Sequence, residues 1–101
     1  MEDSQEKAVE FAEENGLNAP TEFRALDFVA EAGEIIQDIT KSTSYGENPE
    51  EISVKEDEIG DLLFSIFLLA DDLGINAEKA FDKAMAKYQD RVDEKGDPGS
   101  K

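Results

Sequence analysis

The chain has 101 residues, enough for one domain with a single modest core, and combines 39% hydrophobic with 36% charged residues at a net charge of −16. That charge excludes a broad basic footprint for nucleic acid or an anionic membrane. The absence of cysteine and histidine excludes disulfides, thiolate nucleophiles and imidazole ligands, so any chemistry must run on carboxylates, lysine, arginine, hydroxyls or metal-bound water.

Glycine and proline are few and lie mostly at segment ends, which points to an all-α fold built of amphipathic helices. An acid-rich, lysine-poor surface is also the pattern of proteins from very salty cytoplasm, and a halophilic source is the corresponding expectation. Met1, Glu2, Asp3 and Ser4 do not read as a secretory signal. The longest apolar run, Leu62 to Ala70, is interrupted by Ser65 and falls far short of the roughly 20 residues of a membrane span. A cytoplasmic address is expected.

The first predicted helix runs from about Ser4 to Asn15, with a thin stripe of Val9, Phe11 and Ala12, and Gly16 as its stop. A second follows Pro20, with Thr21 as N-cap. Phe23, Leu26, Phe28, Val29, Ala32, Ile35, Ile36 and Ile39 recur in it at helical period, up to about Lys41. Residues 42–49 read as a loop, and Asn48, Pro49, Glu50 and Glu51 as a helix start. Ile52, Ser53 and Val54 are poor material for that first turn. From Lys55 to Leu73 the helical pattern is strong and apolar nearly all round past Asp61, which predicts the central, most buried helix. Gly74 ends it, and Asn76 caps a fourth helix from Ala77 to about Asp93. Ala80, Phe81, Ala84, Met85 and Tyr88 give that helix its core stripe. The predicted domain is 1–95, with a flexible tail over 96–101.

Two helices echo each other. The second contains Glu31-Ala32-Gly33-Glu34 and the third Glu58-Ile59-Gly60-Asp61. Acids three apart lie one turn apart on one helix face, so each pair can close on a single ion. Both pairs border core positions, where an unpartnered carboxylate is costly. Each encloses a mid-helix glycine, which costs roughly 1 kcal/mol relative to alanine and predicts close approach of the two helices there. Four carboxylates meeting between antiparallel helices would offer oxygen-only ligation of the kind Mg²⁺ or Mn²⁺ prefers. Acids at this spacing also arise by composition alone, as at Glu10/Glu13 and Glu47/Glu50, which read as solvated surface.

This paired pattern, with Lys55-Glu56-Asp57-Glu58-Ile59-Gly60-Asp61-Leu62-Leu63-Phe64 as its second element, resembles the MazG-type all-α nucleoside triphosphate pyrophosphohydrolases over roughly Phe23 to Arg91. The family often doubles the glutamate that opens the first element, where this chain has Ala30; a shorter form also occurs. The resemblance implies a four-helix domain of the small single-domain branch, assembled as a homodimer or dimer of dimers. It also implies hydrolysis of a nucleoside triphosphate between the α and β phosphates. Glu31, Glu34, Glu58 and Asp61 would be ligands for one to three Mg²⁺. Glu34 and Glu58 are the catalytic candidates, Glu34 as the group that orients or deprotonates water. Lys87 and Arg91, one turn apart on the last helix, would grip phosphates, with Lys55 as a weaker candidate. The competing reading is a non-catalytic acidic helical module, antitoxin-like or a scaffold. A di-iron carboxylate bundle is discounted because it relies on histidine.

Overall fold

The structure is a computed structural model that describes residues 2–99. Among them are four α-helices and no strand: α1 (Glu2–Glu14), α2 (Thr21–Ser42), α3 (Glu56–Asp72) and α4 (Ala77–Lys95). Each expected helix is present, with its ends set by local chemistry. Gly74 and Gly96 follow α3 and α4 at φ of 70° and 84°, the left-handed conformation that closes a helix at little cost only for glycine. The Asn76 side chain accepts from the Lys79 backbone N–H at 2.9 Å and caps α4.

Two expected starts differ. Pro20, not Thr21, occupies the N-cap of α2. Thr21 is already helical and makes no capping bond; its hydroxyl faces Asp72 instead, at 3.5 Å. The Asn48–Pro49 start yields only a 3-10 turn at Pro49–Glu51, after which the β-branched Ile52-Ser53-Val54 segment runs without helix and α3 begins at Glu56. That segment is tied to the end of α2 where the Ser53 N–H donates to Ser42 Oγ at 2.9 Å.

α2 and α3 form an antiparallel pair. The start of α2 meets the end of α3 through Arg24 and Asp72, 2.8 Å apart, and the end of α2 meets the start of α3 where the Lys55 N–H donates to Asp38 at 3.4 Å. α1 packs on α3 through small residues: Ala8 and Ala12 are buried against Phe67 and Leu68, and Phe11 meets Phe64 edge-on with ring centres 6.1 Å apart. Gln5 is buried in this seam. Its amide donates to Ile75 O at 2.9 Å and accepts from the Ala77 N–H at 2.7 Å, satisfying backbone groups that the α3–α4 corner leaves open. As its sequence pattern implied, α3 is the central helix, with Ser65, Phe67, Leu68 and Ala70 buried.

The stripes of α2 and α4 behave differently from expectation. Neither helix contains a buried residue. α2 turns Arg24, Glu31 and Asp38 toward α3 and leaves Phe23, Leu26, Val29 and Ile36 exposed; Phe81, Met85, Tyr88 and Val92 of α4 are exposed as well. The radius of gyration is 16.8 Å, against about 13 Å for a compact chain of this length. An apolar stripe at helical period specifies a surface to be covered, and in this protomer α2 and α4 each leave such a stripe uncovered.

Candidate metal centre

Glu31 and Glu34 project from successive turns of α2, and Asp61 from α3 opposite them. Each offers a carboxylate oxygen, and the three oxygens lie within 4.8 Å of one another. Three of the four acids singled out by the sequence therefore converge. Glu58 stands one turn before Asp61 and is hydrogen-bonded to Asp38 of α2, with the charge of Glu34 acting on it as well. The acidic seam thus has a fifth member that the motif does not contain. Asp38 follows Glu31 and Glu34 by seven and four residues, and that helical spacing was the available signal for it.

The electrostatics follow from like charges held together. The hydrogen bond to Asp38 is the largest influence on the Glu58 carboxyl, which with burial and the Asp38 charge is pushed up to about 7. The same hydrogen bond holds Asp38 below the usual range, helped by the Lys55 N–H and the Lys55 charge. Glu31 is raised, first by desolvation and then by its hydrogen bond to Glu34 and the charges of Glu34, Asp61 and Asp27. One oxygen of Glu31 and one of Glu58 are buried with no hydrogen-bond partner. Orphaned carboxylate oxygens beside a cluster of like charge are expensive for the fold, and a hard divalent cation would satisfy them. Oxygen-only donors from Glu31, Glu34 and Asp61, with Glu58 adjoining, fit such an ion.

The remaining candidates lie elsewhere on the chain. Lys55 sits at the N-terminus of α3, its backbone bonded to Asp38 and its charge felt by Glu58. Lys87 places its ammonium 5.2 Å from the ring centre of Tyr88, and Arg91 donates to Pro98 O at 3.3 Å. Among the described residues neither forms an ion pair with the carboxylates, whereas Arg24 pairs with Asp72 at the α2–α3 seam. Gly33 and Gly60 are not the points of close helix approach. A Cβ built on either would meet nothing within 4 Å, so neither is pressed against another helix of the protomer.

Fold and site together define an all-α domain with a cluster of carboxylates between two antiparallel helices that could hold a metal ion. The chain belongs to the MazG family: the family described as MazG nucleotide pyrophosphohydrolase domain matches residues 24–95, which hold all four helix-borne motif acids and the candidate cations Lys87 and Arg91. A curated relative, the uncharacterized protein YpjD of Bacillus subtilis (strain 168), is 38% identical over 65 residues. The match covers 60% of this chain and 57% of that relative. No solved structure matches the chain.

Proposed function

We propose that this protein is a Mg²⁺-dependent pyrophosphohydrolase that cleaves nucleoside triphosphates to the monophosphate and pyrophosphate. The observation that carries the reading is the convergence of Glu31, Glu34 and Asp61 within 4.8 Å, beside buried oxygens of Glu31 and Glu58 that have no partner, in a chain of the MazG family. A scaffold has no use for such crowding, since it opposes folding.

When bound, Mg²⁺ supplies charge neutralisation of a polyphosphate and acidifies a coordinated water. In this reading Glu31, Glu34, Glu58 and Asp61 hold the ion, and Glu34, the exposed acid of the α2 pair, orients or deprotonates the attacking water. Lys87 and Arg91 bind the β and γ phosphates, and Lys55 lends positive charge beside Glu58. Since, among the described residues, Lys87 and Arg91 make no ion pair with a carboxylate, a homodimer or dimer of dimers that joins α4 of one protomer to the carboxylate seam of another accommodates both. The uncovered stripes of α2 and α4 support that assembly. A cytoplasmic setting and a role in clearing non-canonical nucleotides accord with this activity.

A panel of ribo-, deoxyribo- and modified triphosphates with Mg²⁺, followed by separate assays for pyrophosphate and orthophosphate, tests the reading. Pyrophosphate and monophosphate in equal amounts are expected. Orthophosphate as the first product, or no product from any triphosphate, would overturn it.

A further inference from the structure

Beside the carboxylate group, between α2 and α3, lies a cavity of about 270 Å³. It shares Glu31 and Asp61 with the metal centre, so a ligand whose phosphates sit on the carboxylate side reaches it without leaving the seam. Its volume falls just below the roughly 300–1,000 Å³ of sites that enclose a whole drug-sized ligand, which suits one ring system rather than an entire nucleotide.

The lining is specific in kind. Phe64 provides an aromatic wall of the sort on which bases stack, and Leu68 an apolar floor. The polar groups are mostly acceptors. Ser65 is buried and spends its hydroxyl proton on Leu62 O at 2.8 Å, so its oxygen is left to accept. Asp27 presents a carboxylate from the α2 rim. Arg24, at the far end, is engaged by Asp72 and by Leu17 O at 2.9 Å and thereby holds the cavity's end in place.

We propose that this cavity is the nucleobase subsite, and that Ser65 and Asp27 make it favour bases carrying an exocyclic amino group over those with a carbonyl at the same position. The inference rests on the pyrophosphohydrolase reading and deepens it. An amino group donates to both acceptors, whereas a carbonyl would face two oxygens and lose its own hydrogen bonds.

The test compares CTP with UTP, which differ in the 4-amino against the 4-carbonyl group and in the N3 proton that accompanies the carbonyl, in the full chain with Mg²⁺. Wild type is expected to show a KM for CTP about tenfold lower than for UTP, one hydrogen bond's worth. Asp27→Asn keeps one acceptor oxygen and adds a donor, so it can serve an amino group or a carbonyl, and should bring the two within about twofold. Ser65→Leu fills the cavity with apolar volume and should raise KM for CTP at least tenfold, while inhibition by pyrophosphate stays within twofold. Equal KM values for CTP and UTP in wild type overturn the proposal. So does a parallel loss of pyrophosphate and CTP affinity in Asp27→Asn, which would make Asp27 part of the phosphate or metal site. Should Ser65→Leu fail to fold, Asp27→Asn, at an exposed position, still decides the matter. Turnover of both nucleotides without discrimination refutes the subsite alone; no turnover of any triphosphate refutes the underlying activity.

Discussion

Replacing Phe81 by lysine separates a protomer that stands alone from one that assembles. In the single chain Phe81 is 50% exposed, so the substitution should change the protomer's own stability by no more than about 0.5 kcal/mol. In an assembly the outcome differs. The accessible surface is 7396 Å², whereas a compact monomer of 11.2 kDa exposes about 5,700 Å²; a dimer that covered this excess would bury roughly 1,700 Å² per protomer. Two protomers would then bury about 3,400 Å² in total, in the range of obligate homodimers. Phe81, Met85, Tyr88 and Val92 follow one another at spacings of four, three and four, the seam of a helix pair. A lysine there costs about 2 kcal/mol per copy even if its stem snorkels, and a two-fold interface doubles that, raising the dimer Kd on the order of 10³-fold. Sedimentation equilibrium across micromolar concentrations, at fixed salt and Mg²⁺, reads this directly. The lysine also makes the protein less acidic, so charge repulsion cannot explain dissociation. A monomeric wild type at high micromolar concentration, or an unchanged mass in Phe81→Lys, would refute the reasoning.

Two further outcomes follow from the seam itself. A raised carboxyl pKa means the folded state holds that proton more tightly than the unfolded state, so the Glu58 contribution is present below 4.5 and lost as pH rises through about 7. Glu31 acts in the same sense, whereas the lowered Asp38 adds stability above 3.8 that is lost on further acidification. Metal-free protein should therefore lose thermal stability from about pH 4.5 to 7, and Mg²⁺ should raise the Tm more near pH 8 than near pH 5, beyond a monovalent salt control; a metal-free Tm that is flat across this window would count against the seam geometry. Gly33→Ala and Gly60→Ala meet open space in the protomer, so each should stabilise by roughly 1 kcal/mol in urea melts, and a loss would instead place a partner helix against that glycine.

The helices themselves were legible because local chemistry decides them. The stops after Gly16, Gly74 and Gly96, the Asn76 cap and the apolar length of α3 all act within a few residues. Periodicity does not say which of two apolar faces is buried within one chain. α2 has enough hydrophobic residues for either, and its half-buried side is mixed: Phe28, Ile35 and Ile39 share it with Arg24, which is held by Asp72, with Asp38, which meets Lys55 and Glu58, and with Glu31 of the carboxylate group. Phe23 of the α2 stripe and Phe81, expected in the α4 core stripe, are both exposed in the protomer. At the site, the Glu-x-x-Glu and Glu-x-x-Asp spacings located the converging acids, but the hydrogen bond between Glu58 and Asp38 joins two helices and has no signature in either alone. The shared place of Gly33 and Gly60 in the two motifs reads as a contact, yet a Cβ at either would have no neighbour within 4 Å.

The most direct test of the central claim is pyrophosphate release from the full triphosphate panel by Asp61→Asn, set against wild type and Glu13→Gln. Asp61 is exposed and belongs to the converging trio, so the asparagine removes one charged ligand from a crowded, self-repelling group. The metal-free variant should melt at or above the wild-type temperature, while its kcat/KM falls at least 100-fold, a loss of only about 2.7 kcal/mol of transition-state stabilisation. Glu13, exposed on α1, should tolerate glutamine with neither quantity changed. Pyrophosphate release by Asp61→Asn equal to that of wild type would contradict the assignment of this site.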